Sequence, residues 1–163
     1  MSVVDRLRLR NELRPGDLGR IVSLHGELYA REYGFDVTFE AYVAGPLAEF
    51  ALSKSPRSEI WVAEHDGGIV GCVAIVAAST RAAQLRWYLV VPEWRRHGLG
   101  RQLLAEAIAF SRQQGYEMVF LWTVSALTAA ARQYVAAGFR KTEEKPGKMW
   151  GTDVVEEKYN LEL

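Results

Sequence analysis

Hydrophobic and polar positions along the chain follow two periods, which predict a mixture of strands and helices. Apolar residues at a spacing of three to four predict helices at about 18–33, 38–53, 98–113 and 126–138. Alternating or continuously apolar runs are typical of strands. Such runs are "DRLRLRNEL", "EIWVAEH" and "IVGCVAIVAA" around an Asp66-Gly67-Gly68 turn, "AAQLRWYLVV", "EMVFLWTV", "FRKTEEK" and "VVEEKYNLEL".

Capping and turn residues set the expected element boundaries. Asp17 is the predicted N-cap of the first helix, because a carboxylate there accepts free backbone N–H groups. Gly34, Gly115 and Gly138 are predicted to end the first, third and fourth helices. Gly45-Pro46 predicts a kink or a split in the second helix, since proline removes a backbone donor.

The order of these elements predicts an α+β (mixed α/β) fold. Two helices follow the first strand, and three strands, a helix, a strand, a helix and two strands complete the chain. This order indicates a central, mostly antiparallel twisted sheet of about seven strands, with a strand–helix–strand crossover around residues 85–124. A chain of 163 residues without repeats or linkers fits a single domain over 1–163.

Composition argues against partners that need a strong overall charge. Lys plus Arg and Asp plus Glu both number 20, so we expect neither a nucleic-acid nor a membrane partner. No segment approaches a membrane span, and no N-terminal apolar export signal is visible. Cys72 is the only cysteine and has apolar neighbours, which predicts a buried thiol and a cytoplasmic protein. No Cys/His spacing predicts a metal site.

Positive charge is nevertheless concentrated at one junction, "VVPEWRRHGLGRQLL" (90–104). A strand is predicted to end at Val91 and a helix to begin near Gly98, where free N–H groups and the helix dipole attract an anion. Gly98 and Gly100 allow close approach to the backbone. We therefore predict a phosphate or pyrophosphate site whose charge comes from Arg96, His97, Arg101 and, unless it is only a solvated flank, Arg95.

Two common phosphate motifs do not fit this junction. The dinucleotide fingerprint would need glycine at Leu103, and a P-loop would need Gly-Lys-Ser or Gly-Lys-Thr. The pattern Arg95-x-x-Gly98-x-Gly100 instead resembles the pyrophosphate loop of the GCN5-related N-acetyltransferase (GNAT) superfamily. "AARQYVAAGFRK" resembles the later signature of that superfamily, with Ala130, Tyr134, Gly138 and Phe139 in register.

The resemblance covers almost the whole chain. "LRPGDLGRIVSLHGELYAREYGF" and "LWTVSALTAAARQYVAAGF" are similar to the acetyltransferase half of bacterial proteins that fuse this domain to a winged-helix regulator of the MarR type. The first predicted strand begins within a few residues of Met1. We therefore expect no winged helix before it and no DNA binding.

The resemblance implies the GNAT fold, acetyl-CoA as co-substrate and N-acetyl transfer by direct attack of an amine in a ternary complex. It also implies that the strand before the loop splays from its neighbour, so that backbone groups can pair with the pantetheine arm. The implied acetyl-CoA-binding residues are Leu89, Val90 and Val91 on the strand, and Arg96, His97, Gly98, Leu99, Gly100 and Arg101 at the loop and helix start.

Aminolysis of a thioester needs a neutral amine, a stabilised oxyanion and a protonated leaving sulfur. A backbone N–H near Val91 is the expected oxyanion donor. Tyr134 matches the tyrosine that protonates the thiolate in the superfamily, although a packed helix tyrosine is the alternative. Leu127 stands where many members have Asn. The usual Glu base is missing, because its candidate positions hold Gln84, Arg86, Trp122 and Thr123. A base from the substrate, a water chain or no dedicated base stay open.

The first helix and the last turn suggest an acceptor site. His25, Tyr29, Glu32 and Tyr33 share one helical face, which predicts a cavity wall. We expect His25 or Glu32 to bind or deprotonate the amine, with a core histidine and a solvated Glu32 as the alternative. Trp150, between the last two strands, is expected to close over the acceptor, whereas packing is the expectation for Trp87, Trp94 and Trp122.

The acceptor itself stays open between small-molecule and peptide amines, because a fold does not fix a substrate. A non-catalytic acyl-CoA sensor or interaction module on the same fold is the alternative function. A nucleic-acid contact through the arginine loop is a weaker alternative. A homodimer is the expectation for the oligomeric state.

Overall fold

A computed structural model describes residues 7–53 and 55–163. In these residues it confirms the predicted α+β fold, with seven strands and four α-helices. The elements are β1 (Leu7–Arg10), α1 (Asp17–Tyr33), α2 (Val37–Ser53), β2 (Glu59–His65), β3 (Gly68–Ala77), β4 (Ala82–Val90), α3 (Leu99–Gln113), β5 (Met118–Val124), α4 (Thr128–Ala136), β6 (Arg140–Met149) and β7 (Thr152–Glu162). Asp5 and Arg6 of the predicted first strand lie outside the described residues.

The strands form one sheet in the order β1-β2-β3-β4-β5-β7-β6. Every neighbouring pair is antiparallel except β4 and β5, which are parallel. A parallel pair needs a crossover connection, and α3 supplies it. The predicted strand–helix–strand crossover is therefore confirmed.

Strands β4 and β5 separate after a short paired stretch. They pair only from Ala82–Gln84 to Met118–Phe120, whereas β4 continues to Val90 and β5 to Val124. Towards β3, β4 stays paired as far as Val90. Residues 85–90 of β4 thus have no strand partner on the side of β5, which leaves a wedge-shaped opening between the two strands. The expected splay is present.

A β-bulge bends β4 beside this opening. Its register with β3 shifts between Cys72 and Ala74, and Trp87 has a φ of 50°. The bulge sets two residues of β4, Trp87 and Tyr88, opposite the single residue Val73. Such a bulge re-aims the following side chains and is common next to functional sites.

The core is built from buried residues of β2, β3, β4, β5 and β7 and from the apolar helix faces against them. Helix α3 buries the predicted stripe of Leu99, Leu103, Leu104, Ala107 and Ile108. Helices α1 and α2 contact each other, and their buried apolar residues are Ile21, Leu28, Phe39, Val43 and Leu47.

Asp17 is not the N-cap of α1, which corrects the sequence-based prediction. Gly16, with a φ of 93°, holds that position without a capping side chain. The Asp17 carboxylate is buried and accepts hydrogen bonds from both terminal nitrogens of Arg10, at 2.7 and 2.9 Å, and from the Arg14 N–H at 2.6 Å. Pairing with Arg10 at the end of β1 outweighs a local cap.

Two further predictions concern prolines. Helix α2 runs unbroken from Val37 to the predicted end at Ser53, so the split at Gly45-Pro46, one of the two predicted possibilities, does not occur; the buried face of the helix packs on both sides of the proline. Strand β6 extends through Pro146 to Met149, beyond the predicted end at Lys145. Strand β6 lies at the edge of the sheet and has a neighbouring strand on one side only. Proline is tolerated in an edge strand because its missing N–H can face the side that has no neighbour.

Candidate active site

The loop between β4 and α3 presents free backbone N–H groups. Gly98 is the N-cap of α3 with a φ of 83° and no capping side chain. The first amide that donates within the helix is that of Gln102, to the Gly98 carbonyl at 3.0 Å. The N–H groups of Leu99, Gly100 and Arg101 therefore have no acceptor inside the helix, and its first turn has no acidic residue. This arrangement suits an anion.

The two glycines of the loop serve different purposes. A Cβ on Gly98 would meet nothing within 4 Å, so glycine is needed there for its backbone angle. A Cβ on Gly100 would overlap the Tyr88 hydroxyl and come within 3.0 Å of Gln133 Nε2. The Tyr88 hydroxyl donates to Gln133 Oε1 at this point. Gly100 therefore lets α3, β4 and α4 approach closely.

The other predicted loop residues divide between the core and the surface. The Leu99 side chain is buried against Leu103 and Gly71, so only its backbone faces the loop. Arg96, with a φ of 64°, is exposed, as are His97 and Arg101. All three belong to the loop or to the first turn of α3, next in sequence to the residues with free N–H groups.

The structure narrows the expectation of a donor N–H near Val91, because the N–H of Val91 itself is already paired. The Val91 N–H donates to the Val70 carbonyl at 2.9 Å and is therefore not available to an oxyanion. Alternate residues of a strand turn their backbone groups to opposite sides. The backbone groups of Val90 accordingly point away from β3, and the Val90 carbonyl accepts a hydrogen bond from Arg95 Nε at 3.1 Å.

Beside the opening lies a cavity of about 120 Å³. Parts of α1, α2, α4, β4, β5, β7 and the β6–β7 turn surround it. Most of its wall is aromatic or aliphatic. The lining residues are His25, Tyr29, Phe35, Phe39, Tyr42, Val43, Gln84, Leu85, Arg86, Trp87, Tyr88, Leu121, Trp122, Thr123, Val124, Leu127, Tyr134, Met149, Trp150 and Glu156.

The structure brings four of the predicted site residues together in this cavity: His25, Tyr29, Tyr134 and Trp150. Glu32 and Tyr33 do not line it, which corrects the expectation for the whole face. Glu32 lies on the same helical stripe as His25, but seven residues move it about 10 Å along the axis, past the cavity. There Glu32 binds Arg95, and Tyr33 packs edge-on against Tyr29.

His25 has a defined protonation pattern. Its Nδ1–H donates to the Ile21 carbonyl at 2.8 Å, and because a carbonyl only accepts, Nδ1 must carry the proton. Nε2 therefore holds a lone pair and is buried with no hydrogen-bond partner among the described residues. Burial lowers the pKa of His25 to about 4, against a smaller opposing effect of the Ile21 hydrogen bond. The ring is neutral at pH 7.

Tyr134 is buried on α4 at the edge of the opening. Its ring lies 5.8 Å from that of Tyr88 and 5.9 Å from those of Phe139 and Tyr159. Burial, and then the neighbouring tyrosines, raise the pKa of Tyr134 well above its usual value. The phenol is protonated at neutral pH and can only donate a proton.

Trp150 closes one side of the cavity. It has a φ of 56° in the turn between β6 and β7, and its carbonyl accepts the Asp36 N–H at 2.9 Å. Its ring lies 4.9 Å from Phe35, 5.0 Å from Phe39 and 5.3 Å from Tyr42. The last turn is thus packed against the start of α2.

Several lining residues were identified in the sequence only as departures from the superfamily pattern. Leu127, Gln84, Arg86, Trp122 and Thr123 all line the cavity. Their positions match those of the missing Asn and Glu, so this part of the wall is present without the Asn amide and the Glu carboxylate. Trp87 and Trp122, for which packing alone was expected, are also in the wall, whereas Trp94 packs against His65 at 4.9 Å.

Glu156 and Tyr88 were missed by the sequence analysis. In the sequence of β4, the polar Gln84, Arg86 and Tyr88 alternate with apolar residues, and this alternation was the available signal for Tyr88. Glu157, the neighbour of Glu156, is buried and forms an ion pair with Lys141, with 3.0 Å between Oε2 and Nζ. Adjacent strand residues face opposite sides, so Glu156 is turned into the cavity.

Cys72 is buried, as predicted, and its Sγ donates to the Trp87 carbonyl at 3.1 Å. Burial raises the pKa of the thiol to about 12, so it does not ionise at neutral pH. Within residues 7–53 and 55–163, no group of three His, Cys, Asp or Glu could hold a metal ion. None of the helices found there combines the length and apolar character of a membrane span.

The chain has recognisable relatives among curated proteins. An uncharacterized N-acetyltransferase of Schizosaccharomyces pombe is 32% identical over 134 residues, which cover 79% of this chain and 80% of that protein. N-acetyltransferase family 8 member 3 of Rattus norvegicus is 37% identical over 96 residues, 56% of this chain. That match spans only 42% of the rat protein.

The fold is shared with solved acetyltransferases. A GNAT family acetyltransferase from Elizabethkingia anophelis with acetyl-CoA bound superposes with a TM-score of 0.66 at 16% identity, and the match covers 98% of this chain and 99% of that one. Residues 25–139 also match the sequence profile of the "Acetyltransferase (GNAT) family". That range includes β4, α3 and the Tyr134 helix, so the chain belongs to the GNAT family of acetyltransferases.

Proposed function

We propose that the protein transfers the acetyl group of acetyl-CoA directly to an amine held in the aromatic cavity. One observation carries this proposal: β4 and β5 separate beside an uncapped helix N-terminus and next to the cavity that contains Tyr134. The separation leaves backbone for a thioester arm, and the helix start suits its phosphates. The two substrates would then meet in one continuous space.

The proposed acetyl-CoA site consists of the loop and the open edge of β4. The free N–H groups of Leu99, Gly100 and Arg101, together with the Arg96, His97 and Arg101 side chains, would bind the pyrophosphate. Leu89, Val90 and Val91 would align the pantetheine arm, with Val90 as the residue whose backbone groups face the opening. When bound, acetyl-CoA supplies an acetyl group activated as a thioester. The acetyl-CoA in the Elizabethkingia anophelis structure supports this choice.

Tyr134 is the proposed general acid. As the amine nitrogen bonds to the acetyl carbon and the carbon–sulfur bond breaks, the phenol would give its proton to the departing sulfur, and the proton that the nitrogen loses would restore the phenol. Its phenol is protonated at pH 7 because burial disfavours the phenolate. The same burial disfavours a thiolate in the same space, so the two groups remain matched for proton transfer.

His25 is proposed to bind the acceptor amine rather than to deprotonate it. Its Nε2 lone pair is a buried acceptor without a partner in the described residues, which suits an N–H donor in the cavity. A pKa of about 4 makes it a weak base at neutral pH. Tyr29 and Trp150 would contact the body of the acceptor, while Glu32 and Tyr33 support the wall from outside.

Direct transfer fits the state of Cys72. A buried thiol with a pKa of about 12 is a poor nucleophile, since the thiolate is the reactive form. Cys72→Ala is therefore expected to keep the turnover of the wild type. The cytoplasmic location, the homodimer and the likeness to the MarR fusion proteins stay predictions.

The test is thiol release from acetyl-CoA over a panel of amines, with wild type and Tyr134→Phe, alongside calorimetry of acetyl-CoA binding. We expect turnover with at least one class of amine. Tyr134→Phe should lower kcat by a factor of about 10² to 10⁴ and leave acetyl-CoA affinity within about twofold. Binding without turnover across the panel would favour the acyl-CoA sensor, and a steeply salt-dependent affinity for DNA would favour the nucleic-acid alternative.

A further inference from the structure

Arg86 is a charged residue in a cavity wall that is otherwise mostly apolar. It lies on β4, half-buried, with the centre of its guanidinium 5.0 Å from the Trp87 ring and 5.9 Å from the Tyr42 ring. Among the described residues, the Arg86 side chain has no hydrogen-bond or ion-pair partner. By contrast, the guanidiniums of Arg10 and Arg95 each bind a carboxylate.

This placement costs free energy unless a partner arrives. A guanidinium that leaves water without an anionic partner loses solvation. A cation over an aromatic ring at a partly exposed site regains only a small part of that loss. The rings also offer no oxygen to the in-plane N–H donors, whose fork geometry matches a carboxylate. A carboxylate on the bound acceptor would satisfy these donors.

A second charge in the wall has the opposite sign. Glu156 on β7 lines the same cavity and forms no ion pair with the described residues. Arg86 and Glu156 together match a molecule that carries both an ammonium and a carboxylate. The remaining surface is dominated by aromatic rings, among them Phe39 stacked on Tyr29 at 4.6 Å, which suits an apolar side chain.

We propose that the acceptor is a free amino acid with a large apolar side chain, and that Arg86 binds its carboxylate. This inference rests on the proposed function, because it names the acceptor for the same cavity. Glu156 would attract the ammonium form as the amino acid enters, and the neutral amine that attacks would lie towards Tyr134 and the His25 lone pair. The side chain would contact the aromatic wall. Arg86 thus determines specificity, while the transfer step belongs to other residues.

The test compares three acceptors that differ only at the carboxylate: phenylalanine, phenylalaninamide and phenethylamine. Thiol release is measured with wild type, Arg86→Met and Arg86→Lys. The control is Arg81→Met, whose side chain is 80% exposed just before β4. For wild type we expect kcat/KM for phenylalanine to exceed the other two by tenfold or more. A site built to bind a charged group discriminates strongly against analogues that lack it.

Arg86→Met should lower kcat/KM for phenylalanine by 10- to 100-fold and change that for phenethylamine by less than twofold. Arg86→Lys should keep part of the preference for phenylalanine over phenethylamine. Lysine retains the positive charge but lacks the paired N–H donors of a guanidinium. Acetyl-CoA affinity by calorimetry and the unfolding midpoint should match wild type in both variants, which shows that they are folded.

Two results would overturn the inference while leaving the acetyltransferase intact. One is equal turnover of all three acceptors by wild type. The other is a parallel loss for all three in Arg86→Met, which would mean that Arg86 only packs against Trp87. Absence of thiol release with every amine would overturn the proposed function and this inference with it.

Discussion

The carboxylate of Glu32, in the last turn of α1, accepts hydrogen bonds from both terminal nitrogens of Arg95, at 2.7 and 3.1 Å. Arg95 also donates from Nε to the Val90 carbonyl. One arginine side chain therefore links α1, the end of β4 and the loop before α3. The pair lies outside the cavity and ties the loop to α1, so we expect it to position the proposed pyrophosphate site.

Glu32→Gln is expected to weaken acetyl-CoA binding two- to fivefold and to leave kcat unchanged at saturation. Part of the pair is solvent-exposed, so its loss costs at most about 1 kcal/mol. Calorimetry at low and high salt measures the effect, which should shrink as salt screens the pair. Glu27→Gln on the exposed face of the same helix is the control. An unchanged dissociation constant in Glu32→Gln would show that the pair does not order the loop.

Substitutions at Gly98 separate backbone strain from charge. Gly98→Ala strains a backbone with a φ of 83° and should cost about 1 kcal/mol of stability. Gly98→Asp adds a negative charge beside the free N–H groups and should weaken acetyl-CoA binding by more than tenfold beyond the alanine variant.

A matched control for Gly98 exists in the β2–β3 turn. Gly67 has a φ of 78°, and a Cβ there would also meet nothing within 4 Å. Gly67→Ala and Gly67→Asp impose the same strain away from the loop and should leave the dissociation constant unchanged in calorimetry. If Gly98→Asp bound acetyl-CoA as tightly as Gly67→Asp, the pyrophosphate would have to bind elsewhere.

Features with local signals were predicted well from the sequence. Helix α3 begins one residue after Gly98 and ends at the predicted Gln113, because its apolar stripe and its glycine start are short-range patterns. The crossover and the seven strands follow from the same kind of signal. The anion site in the loop before α3 was also predictable from a local signal, because its free N–H groups follow from where the helix begins.

Features that depend on distant pairing were not predictable. The local capping rule assigned Asp17 to the N-cap of α1. In the structure the Asp17 carboxylate is instead buried, because it pairs with Arg10 at the end of β1. The spacing of residues along α1 predicted which helical face borders the cavity. It could not predict that the cavity lining on this helix stops at Tyr29 and leaves out Glu32 and Tyr33. Glu156 enters the cavity because β7, and not β6, pairs with β5, and no sequence alternation reveals that order.

His25 should make the free energy of unfolding depend on pH. Its pKa is about 4 in the folded protein, against 6.5 as the ordinary value, so the unfolded chain binds the proton first as pH falls. Stability from the neutral ring is complete above pH 6.5 and is lost between pH 6.5 and 4. About 2–3 kcal/mol should disappear from pH 7 to 4.5.

Urea unfolding at the two pH values, with wild type and His25→Gln, measures this dependence. The glutamine variant has no ring to protonate, so its loss of stability over that range should be smaller by about 2–3 kcal/mol. The same loss in both proteins would mean that His25 is accessible to protons in the folded state. The proposed neutral acceptor at Nε2 would then be wrong.

The buried pair of Arg10 and Asp17 predicts a large effect far from the cavity. Burial alone raises the pKa of Asp17, but hydrogen bonds from Arg10 and the Arg14 N–H outweigh it and lower the net pKa. Asp17→Asn removes the charge and leaves Arg10 partly unpaired, which should cost about 3 kcal/mol in urea unfolding at pH 7. Glu12→Gln breaks an exposed pair with Arg14 and should cost less than about 0.5 kcal/mol. Equal costs for the two variants would mean that the charge on Asp17 adds no more to stability than an exposed ion pair does.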